Sequence, residues 1–155
     1  MKKQDYTATI LVKAAANEAF KSINHVAAWW TENVEGSSEK LNDVLTIHFG
    51  ETFVTIKIVE SVPDKKVVWN VTDCYLPWLA DKQEWTNTRI VFELSAEGDS
   101  TSIRFTHIGL EPQVECYDGC VKGWDQYFKG SLAKLINEGK GLPQRKEMAK
   151  AEAVK

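Results

Sequence analysis

The sequence predicts an α+β domain in which one antiparallel sheet is covered by a long C-terminal helix. Short stretches of alternating apolar and polar residues, separated by turn signals, recur between residues 44 and 109 and indicate antiparallel strands. A long amphipathic helical pattern follows between Pro112 and Gly139. Because an antiparallel sheet with one apolar face needs a cover, and no other predicted element is long enough, we expect this helix to lie across the sheet.

The N-terminal part predicts one strand followed by two short helices. The stretch "DYTATILVK" has the alternation of a half-buried strand, with every other residue from Tyr6 to Val12 on one face. The alanine-rich stretch "AAANEAFKSINHVAAWW" predicts two short helices broken near Asn24 and ending at Trp29-Trp30. We expect the polar segment that follows, "TENVEGSSEKLND", to be a loop.

Three turns divide the central region into strands. Gly50-Glu51 separates "VLTIHF" from "TFVTIKIVE", Pro63-Asp64 precedes "KVVWNVTD", and "AEGD" separates the last two strands. Pairing Leu94 with Ile103 in that last hairpin places Glu93 opposite Arg104 on the outer face, where an opposite-charge pair suits solvent. On the inner face the same register predicts the pairs Phe92–Phe105 and Ile90–His107.

The C-terminal helix is expected to begin at Pro112 and to end at Gly139. At 100° per residue, one broad face contains Tyr117, Cys120, Val121, Trp124, Tyr127, Phe128, Ser131 and Leu135. Gly119, Gly123 and Gly130 align on a flank, and each costs about 1 kcal/mol relative to alanine in a helix interior. We therefore expect a close backbone approach or a bend at these glycines.

Composition and charge narrow the classes of function. A chain of 155 residues is the size of one domain, which we place at residues 1–143, with a polar tail at 144–155. The net charge is -3 and no basic run is dense, so nucleic acid is not an expected partner. No apolar run is long enough for membrane insertion and the N-terminus does not have the pattern of a signal peptide. With three cysteines, an odd number, we expect a cytoplasmic protein with reduced thiols.

Several segments, taken in order, carry a family resemblance. They are "NEAFKSINHVAAWW", "VESVPDKKVVWNV", "TNTRIVFELSAEGDSTSIRFTHIGL" and "GWDQYFKGSLAKLI". The set resembles the START-related helix-grip (SRPBCC) superfamily, and within it the branch named after the activator of the heat-shock-protein-ninety ATPase. The segment "ECYDGCVKGW" and the later "GSLAKLINEGKGLP" are similar to a bacterial subgroup of that branch. The resemblance runs from about Tyr6 to Pro143.

The resemblance implies a six- or seven-stranded antiparallel sheet wrapped around the long C-terminal helix, with a cavity between them. Relatives use this cavity to hold lipids, sterols, polyketides or hormones, and a few perform chemistry in it. The eukaryotic namesake binds a chaperone and stimulates its ATPase, and it has a separate N-terminal chaperone-binding domain, for which 155 residues leave no room. The family name therefore does not by itself predict the function.

His107, Cys116 and Cys120 raise three chemical interpretations. A zinc site needs three or four ligands, and no carboxylate lies plainly on the face shared by His107 and Cys120, so we expect no metal and no cofactor. A nucleophilic Cys120 with His107 as base conflicts with the apolar stripe around the thiol, which raises its pKa, so we assign no catalytic residue. His107 is then either a polar point in the cavity or a hydrogen-bonded core histidine.

The function that the sequence favours is binding of a small, largely apolar molecule between sheet and helix. The predicted ligand-binding residues are Trp69, Phe92, Phe105, His107, Tyr117, Cys120, Trp124 and Phe128. One alternative is a chaperone-associated or other protein-interaction module that uses the apolar loop around Trp78. Another is a cyclase- or hydrolase-type enzyme acting on a polyketide-like substrate around His107.

Overall fold

The computed structural model describes residues 5–37, 40–77, 79–80, 82–111 and 117–143. The N-terminal half consists of β1 (Tyr6–Val12), α1 (Ala16–Asn24), α2 (Val26–Trp29), β2 (Val34–Gly36), β3 (Val44–Phe49) and β4 (Thr52–Val62). The C-terminal half consists of β5 (Lys66–Tyr75), β6 (Arg89–Glu97), β7 (Ser100–Ile108) and the C-terminal helix. That helix has three parts: α3 (Tyr117–Trp124), a π-helical segment (Asp125–Leu132) and α4 (Ala133–Glu138). The polar tail predicted at 144–155 lies outside the described residues.

The seven strands form one antiparallel sheet in the order β1-β7-β6-β5-β4-β3-β2. The predicted α+β fold, with two short helices after the first strand and a helix across the sheet, is confirmed. The predicted register of the last hairpin is confirmed as well, because Leu94 pairs with Ile103 and Glu93 pairs with Arg104. Alternation in β6 and β7 therefore determines which side chains face the helix, and His107 is among them.

The short edge strand β2 lies inside the segment predicted to be a loop. Val34 pairs with Ile47 and Gly36 with Leu45 of β3. Gly36 has a φ of +100°, and a Cβ there would collide with the carbonyl oxygen of Val44, so only glycine suits this position. A strand of three residues with one large apolar side chain has no alternation to detect, which is why its sequence reads as a loop.

The C-terminal helix ends where the sequence predicts. Gly139 adopts the left-handed conformation at a φ of 87°, and its N–H donates to the carbonyl of Leu135 at 2.8 Å. Its predicted start at Pro112 lies outside the described residues. The π-helical segment widens the middle of the helix through i→i+5 bonding, so the 3.6-residue period no longer gives the buried face. As a result Leu132 is fully buried, whereas Leu135 is only half-buried.

An aromatic core fills the space between the sheet and the helix. Trp30 and Trp69 stack with ring centroids 5.8 Å apart and planes 8° apart, and Trp29 stacks on both. Phe105 contacts Trp124 of the helix at 4.6 Å between centroids. These rings come from β5, β7, the C-terminal helix, and α2 together with the residue that follows it. Their packing therefore fixes the C-terminal helix over the sheet. No helix within the described ranges has the length and apolar character needed to cross a membrane.

Candidate functional site

A cavity of about 310 Å³ lies between the strands β3 and β4 and the first half of the C-terminal helix. One wall comes from the helix, a second from the inner face of the β3–β4 hairpin, and a third from Trp30 and the segment that joins β5 to β6. The lining residues are Trp30, Ile47, Phe49, Thr52, Val54, Leu76, Trp85, Gly119, Cys120, Gly123, Trp124 and Tyr127. None of these twelve carries a formal charge at neutral pH, so the cavity is an apolar space with few polar groups.

Three polar side chains line this apolar space. In the described part of the chain, the side chains of Thr52, Cys120 and Tyr127 form no hydrogen bond with another residue. Burial raises the pKa of Tyr127, so its phenol stays protonated at neutral pH and can donate a hydrogen bond. The cavity can therefore offer a bound molecule two hydroxyl groups and one thiol.

Gly119 and Gly123 give the helical wall its depth. A Cβ built on either glycine would meet no heavy atom within 4 Å other than those of its own stretch of helix, and both glycines line the cavity, so a side chain there would enter open space. The close backbone approach expected from the sequence is therefore not the reason for these two glycines. It occurs instead at Gly141, where a Cβ would lie 2.5 Å from the carbonyl oxygen of Ala28.

His107 lies behind the cavity in a directional chain of hydrogen bonds. The indole N–H of Trp124 donates to Nδ1 of His107 at 3.1 Å. Since an indole N–H can only donate, Nδ1 accepts and the imidazole proton is on Nε2. That proton is directed to Oγ1 of Thr88 at 2.9 Å, and the Thr88 hydroxyl donates to the carbonyl oxygen of Trp85 at 2.6 Å.

Burial keeps His107 neutral. Its side chain has no exposed surface, and burial lowers its pKa to about 3. Both ring nitrogens are engaged by Trp124 and Thr88, so the arrangement leaves neither of them to act as a base for Cys120. Of the two roles left open for a non-catalytic His107, the structure shows the hydrogen-bonded core histidine.

The structure brings two of the eight predicted ligand-binding residues, Cys120 and Trp124, to the cavity wall. Tyr117 is half-buried and packs against the core without being among the residues that line the cavity. The other five have no exposed surface and lie in the packed interior: Trp69, Phe92, Phe105, His107 and Phe128.

The cavity residues that the sequence did not indicate come mainly from two places. Ile47, Phe49, Thr52 and Val54 belong to the β3–β4 hairpin, whose alternation indicates an inner face but not what it faces. Leu76 and Trp85 come from the segment after β5. Their signal was the apolar character of "CYLPWLADKQEW". Trp78 of that stretch, on which the protein-partner alternative depends, lies outside the described residues.

Two further observations concern Ser131, which the sequence places on the broad apolar face of the helix, and metal binding. The buried Ser131 hydroxyl donates to the carbonyl of Trp29 and accepts from the N–H of Leu142, both at 2.7 Å, so it joins α2, the helix and the following segment rather than facing the cavity. Among the residues that the structure describes, no three His, Cys, Asp or Glu side chains are grouped to hold a metal ion. Cys116 is outside those residues.

Comparison with solved structures identifies the same fold. The Aha1 dimer from Colwellia psychrerythraea superposes with a TM-score of 0.73 at 21% identity, over 89% of this chain and 99% of that one. BH1534 from Bacillus halodurans gives 0.64 at 12% identity, over 89% and 100%. DynU16, a protein of the dynemicin biosynthetic locus, gives 0.66 at 13% identity, over 94% of this chain and 52% of that one. At identities this low, the superpositions show a shared fold alone.

Sequence comparison defines the family. A comparison with curated proteins found no match. Residues 17–137 match the family described as Activator of Hsp90 ATPase homolog 1-like protein. That range includes all but the first residue of α1, all of α2, the strands from β2 to β7 and nearly all of the described C-terminal helix. The chain therefore belongs to the Activator of Hsp90 ATPase homolog 1-like family, a branch of the helix-grip superfamily.

Proposed function

We propose that this protein binds a small, neutral, largely apolar molecule in the cavity between its sheet and its C-terminal helix. The observation that supports this proposal most directly is the cavity itself, about 310 Å³ in volume and with no charged side chain among the described residues that line it. A space of this size is at the lower end of small-molecule pockets, which span about 300 to 1,000 Å³. A charged ligand would lose its hydration there without gaining an ionic partner.

The two glycines of the helical wall support the same proposal. Each costs about 1 kcal/mol of helix stability relative to alanine. Gly119 and Gly123 have room for a larger side chain, so packing does not require them. Their effect is to leave volume beside Trp124, where a ligand can contact the indole ring. Thr52 and Tyr127 would orient the ligand by hydrogen bonds.

Paired fluorescent probes test the proposal. N-phenyl-naphthylamine is neutral, and its analogue anilinonaphthalenesulfonate has the same rings with a negative charge. We expect the neutral probe to bind and the sulfonate to bind at least about tenfold more weakly, because the described residues of the lining include no cation to pair with it. Native mass spectrometry of the protein purified from its own host would identify a natural ligand.

Two leucine variants locate the binding site. Gly123→Leu places a side chain in the cavity and should abolish probe binding while the protein stays folded. Gly130→Leu is the matched control, because Gly130 is exposed and outside the cavity lining. Equal binding of both probes, or unchanged binding in Gly123→Leu, would contradict the proposal.

A further inference from the structure

His107 and Thr88 join two walls of the cavity, although neither is among the residues that line it. The chain of hydrogen bonds begins at the Trp124 side chain on the helix and ends at the Trp85 carbonyl on the segment between β5 and β6. Both tryptophans line the cavity. The link therefore connects two separate parts of the chain where they meet around the ligand space.

The rings of Trp85, Trp124 and His107, which this link connects, also pack against one another. Trp85 and Trp124 stack with centroids 5.8 Å apart and planes 15° apart. The imidazole of His107 stands perpendicular to Trp85, with 4.6 Å between centroids, and at 76° to Trp124. His107 thus contacts both rings of the stack, and the indole N–H of Trp124, which can only donate, fixes the tautomer of the imidazole.

The position of Thr88 depends on a glycine in the neighbouring chain segment. Gly109, two residues after His107, has a φ of +107°, and a Cβ there would lie 2.6 Å from Cγ2 of Thr88. Glycine at position 109 therefore makes the space that Thr88 occupies. With this placement, one hydroxyl accepts from His107 and donates to Trp85.

We propose that His107 and Thr88 are positioning residues that hold Trp85 and Trp124 at the spacing that shapes the cavity for its ligand. The ligand part of this inference rests on the proposed function. The placement of the two indole rings is a property of the protein alone, and it is measured separately.

The decisive variant is Thr88→Val, which keeps the shape of the side chain and removes the hydroxyl. We expect its dissociation constant for N-phenyl-naphthylamine to rise about tenfold, and its near-ultraviolet circular dichroism to change because the stacked indoles shift. Thr88→Ser retains the hydroxyl and should restore both properties. Thr46→Val is the matched control, because it removes a 2.9 Å hydroxyl contact with Thr55, a pair that alternates with the lining residues Ile47 and Val54 and so lies on the opposite face of the sheet.

The outcomes separate this inference from the proposed function. If the wild-type protein binds the probe and Thr88→Val binds it equally well with an unchanged near-ultraviolet spectrum, the positioning role is wrong. If the wild-type protein binds no probe, the proposed function fails instead. Nitrogen-15 NMR of the His107 ring gives a check that needs no variant: a proton on Nδ1 rather than Nε2 would overturn the inference even if Thr88→Val did not fold.

Discussion

The phenol of Tyr6 donates a 2.7 Å hydrogen bond to Oδ1 of Asp125, and so joins the edge strand β1 to the first residue of the π-helical segment. The same carboxylate oxygen lies 3.3 Å from Nζ of Lys129. Burial, together with the adjacent Asp125, raises the pKa of Tyr6, so the phenol stays protonated and remains a donor at neutral pH. A strand at the edge of the sheet is thereby attached to the helix that covers it.

Tyr6→Phe should lower the free energy of unfolding by about 1 kcal/mol, because it removes this hydrogen bond and leaves Asp125 its lysine partner. Urea denaturation at neutral pH measures the change. Tyr75→Phe is the matched control, since Tyr75 is 37% exposed and its hydroxyl forms no hydrogen bond among the described residues. Equal changes in the two variants would contradict this role of Tyr6.

Acid should destabilise the protein through His107. Its pKa is about 3 in the folded protein and about 6.5 in the unfolded chain. Between these values the unfolded chain takes up a proton that the folded state does not. The contribution of His107 to the free energy of unfolding is therefore fully present above pH 6.5. It falls by about 1.4 kcal/mol per pH unit as the pH drops toward 3.

Urea denaturation of the wild-type protein and His107→Gln at several pH values isolates this effect, because the carboxylates titrate in both. The wild-type stability should decrease more steeply with acid than that of His107→Gln. His25→Gln, at an exposed histidine, should retain the wild-type slope. Parallel slopes for the wild type and His107→Gln would show that His107 is not held neutral.

Two glycine-to-alanine variants should have opposite effects. Gly123→Ala should raise the free energy of unfolding by up to about 1 kcal/mol, because it improves helix propensity where a Cβ has no neighbour within 4 Å. Gly141→Ala should lower it by about 1 to 3 kcal/mol, since its Cβ would lie 2.5 Å from the Ala28 carbonyl oxygen and 3.0 Å from that of Ser131. Thermal and urea denaturation both measure the contrast. A stabilising Gly141→Ala would refute the close approach.

Ser131→Ala should lower the free energy of unfolding by about 1 to 3 kcal/mol. The change removes the acceptor of the Leu142 N–H and the donor to the Trp29 carbonyl at a side chain only 1% exposed. Ser95→Ala, on the exposed face of β6, should change stability by less than about 0.5 kcal/mol. If the two serine variants were equally stable, Ser131 would not join the helix to α2.

The fold could be predicted where the local pattern is strong. In β6 and β7, alternation and the Glu93–Arg104 pair independently gave the register that the structure has. β2 has too few residues to form a pattern. The π-helical segment could not be predicted, because its i→i+5 backbone bonding leaves no mark in the sequence and a projection at the 3.6-residue period assumes an α-helix throughout. The burial of Leu132 was missed for that reason.

The site was harder to predict than the fold. The apolar stripe of the helix correctly indicated an inward Cys120 and Trp124, but an inward side chain can fill a core or line a void. Phe92 and Phe105 fill the core because they oppose each other beneath the helix. The cavity opens instead over β3 and β4, where the glycines of the helix face the sheet. Whether an inward side chain fills the core or lines a cavity depends on the total side-chain volume that several segments contribute. The pattern of any single segment does not reveal that total.

The position of β1 has a consequence for synthesis. Among the strands in the described residues, β1 comes first along the chain, yet it pairs with β7, which comes last. Until β7 has been synthesised, β1 has no native strand to pair with. The sheet therefore lacks β1 at its edge during most of synthesis. The domain should therefore finish folding only after β7 has left the exit tunnel, with slow, non-local closure as the final step. Until then β1 is an unpaired strand available to molecular chaperones or to neighbouring nascent chains.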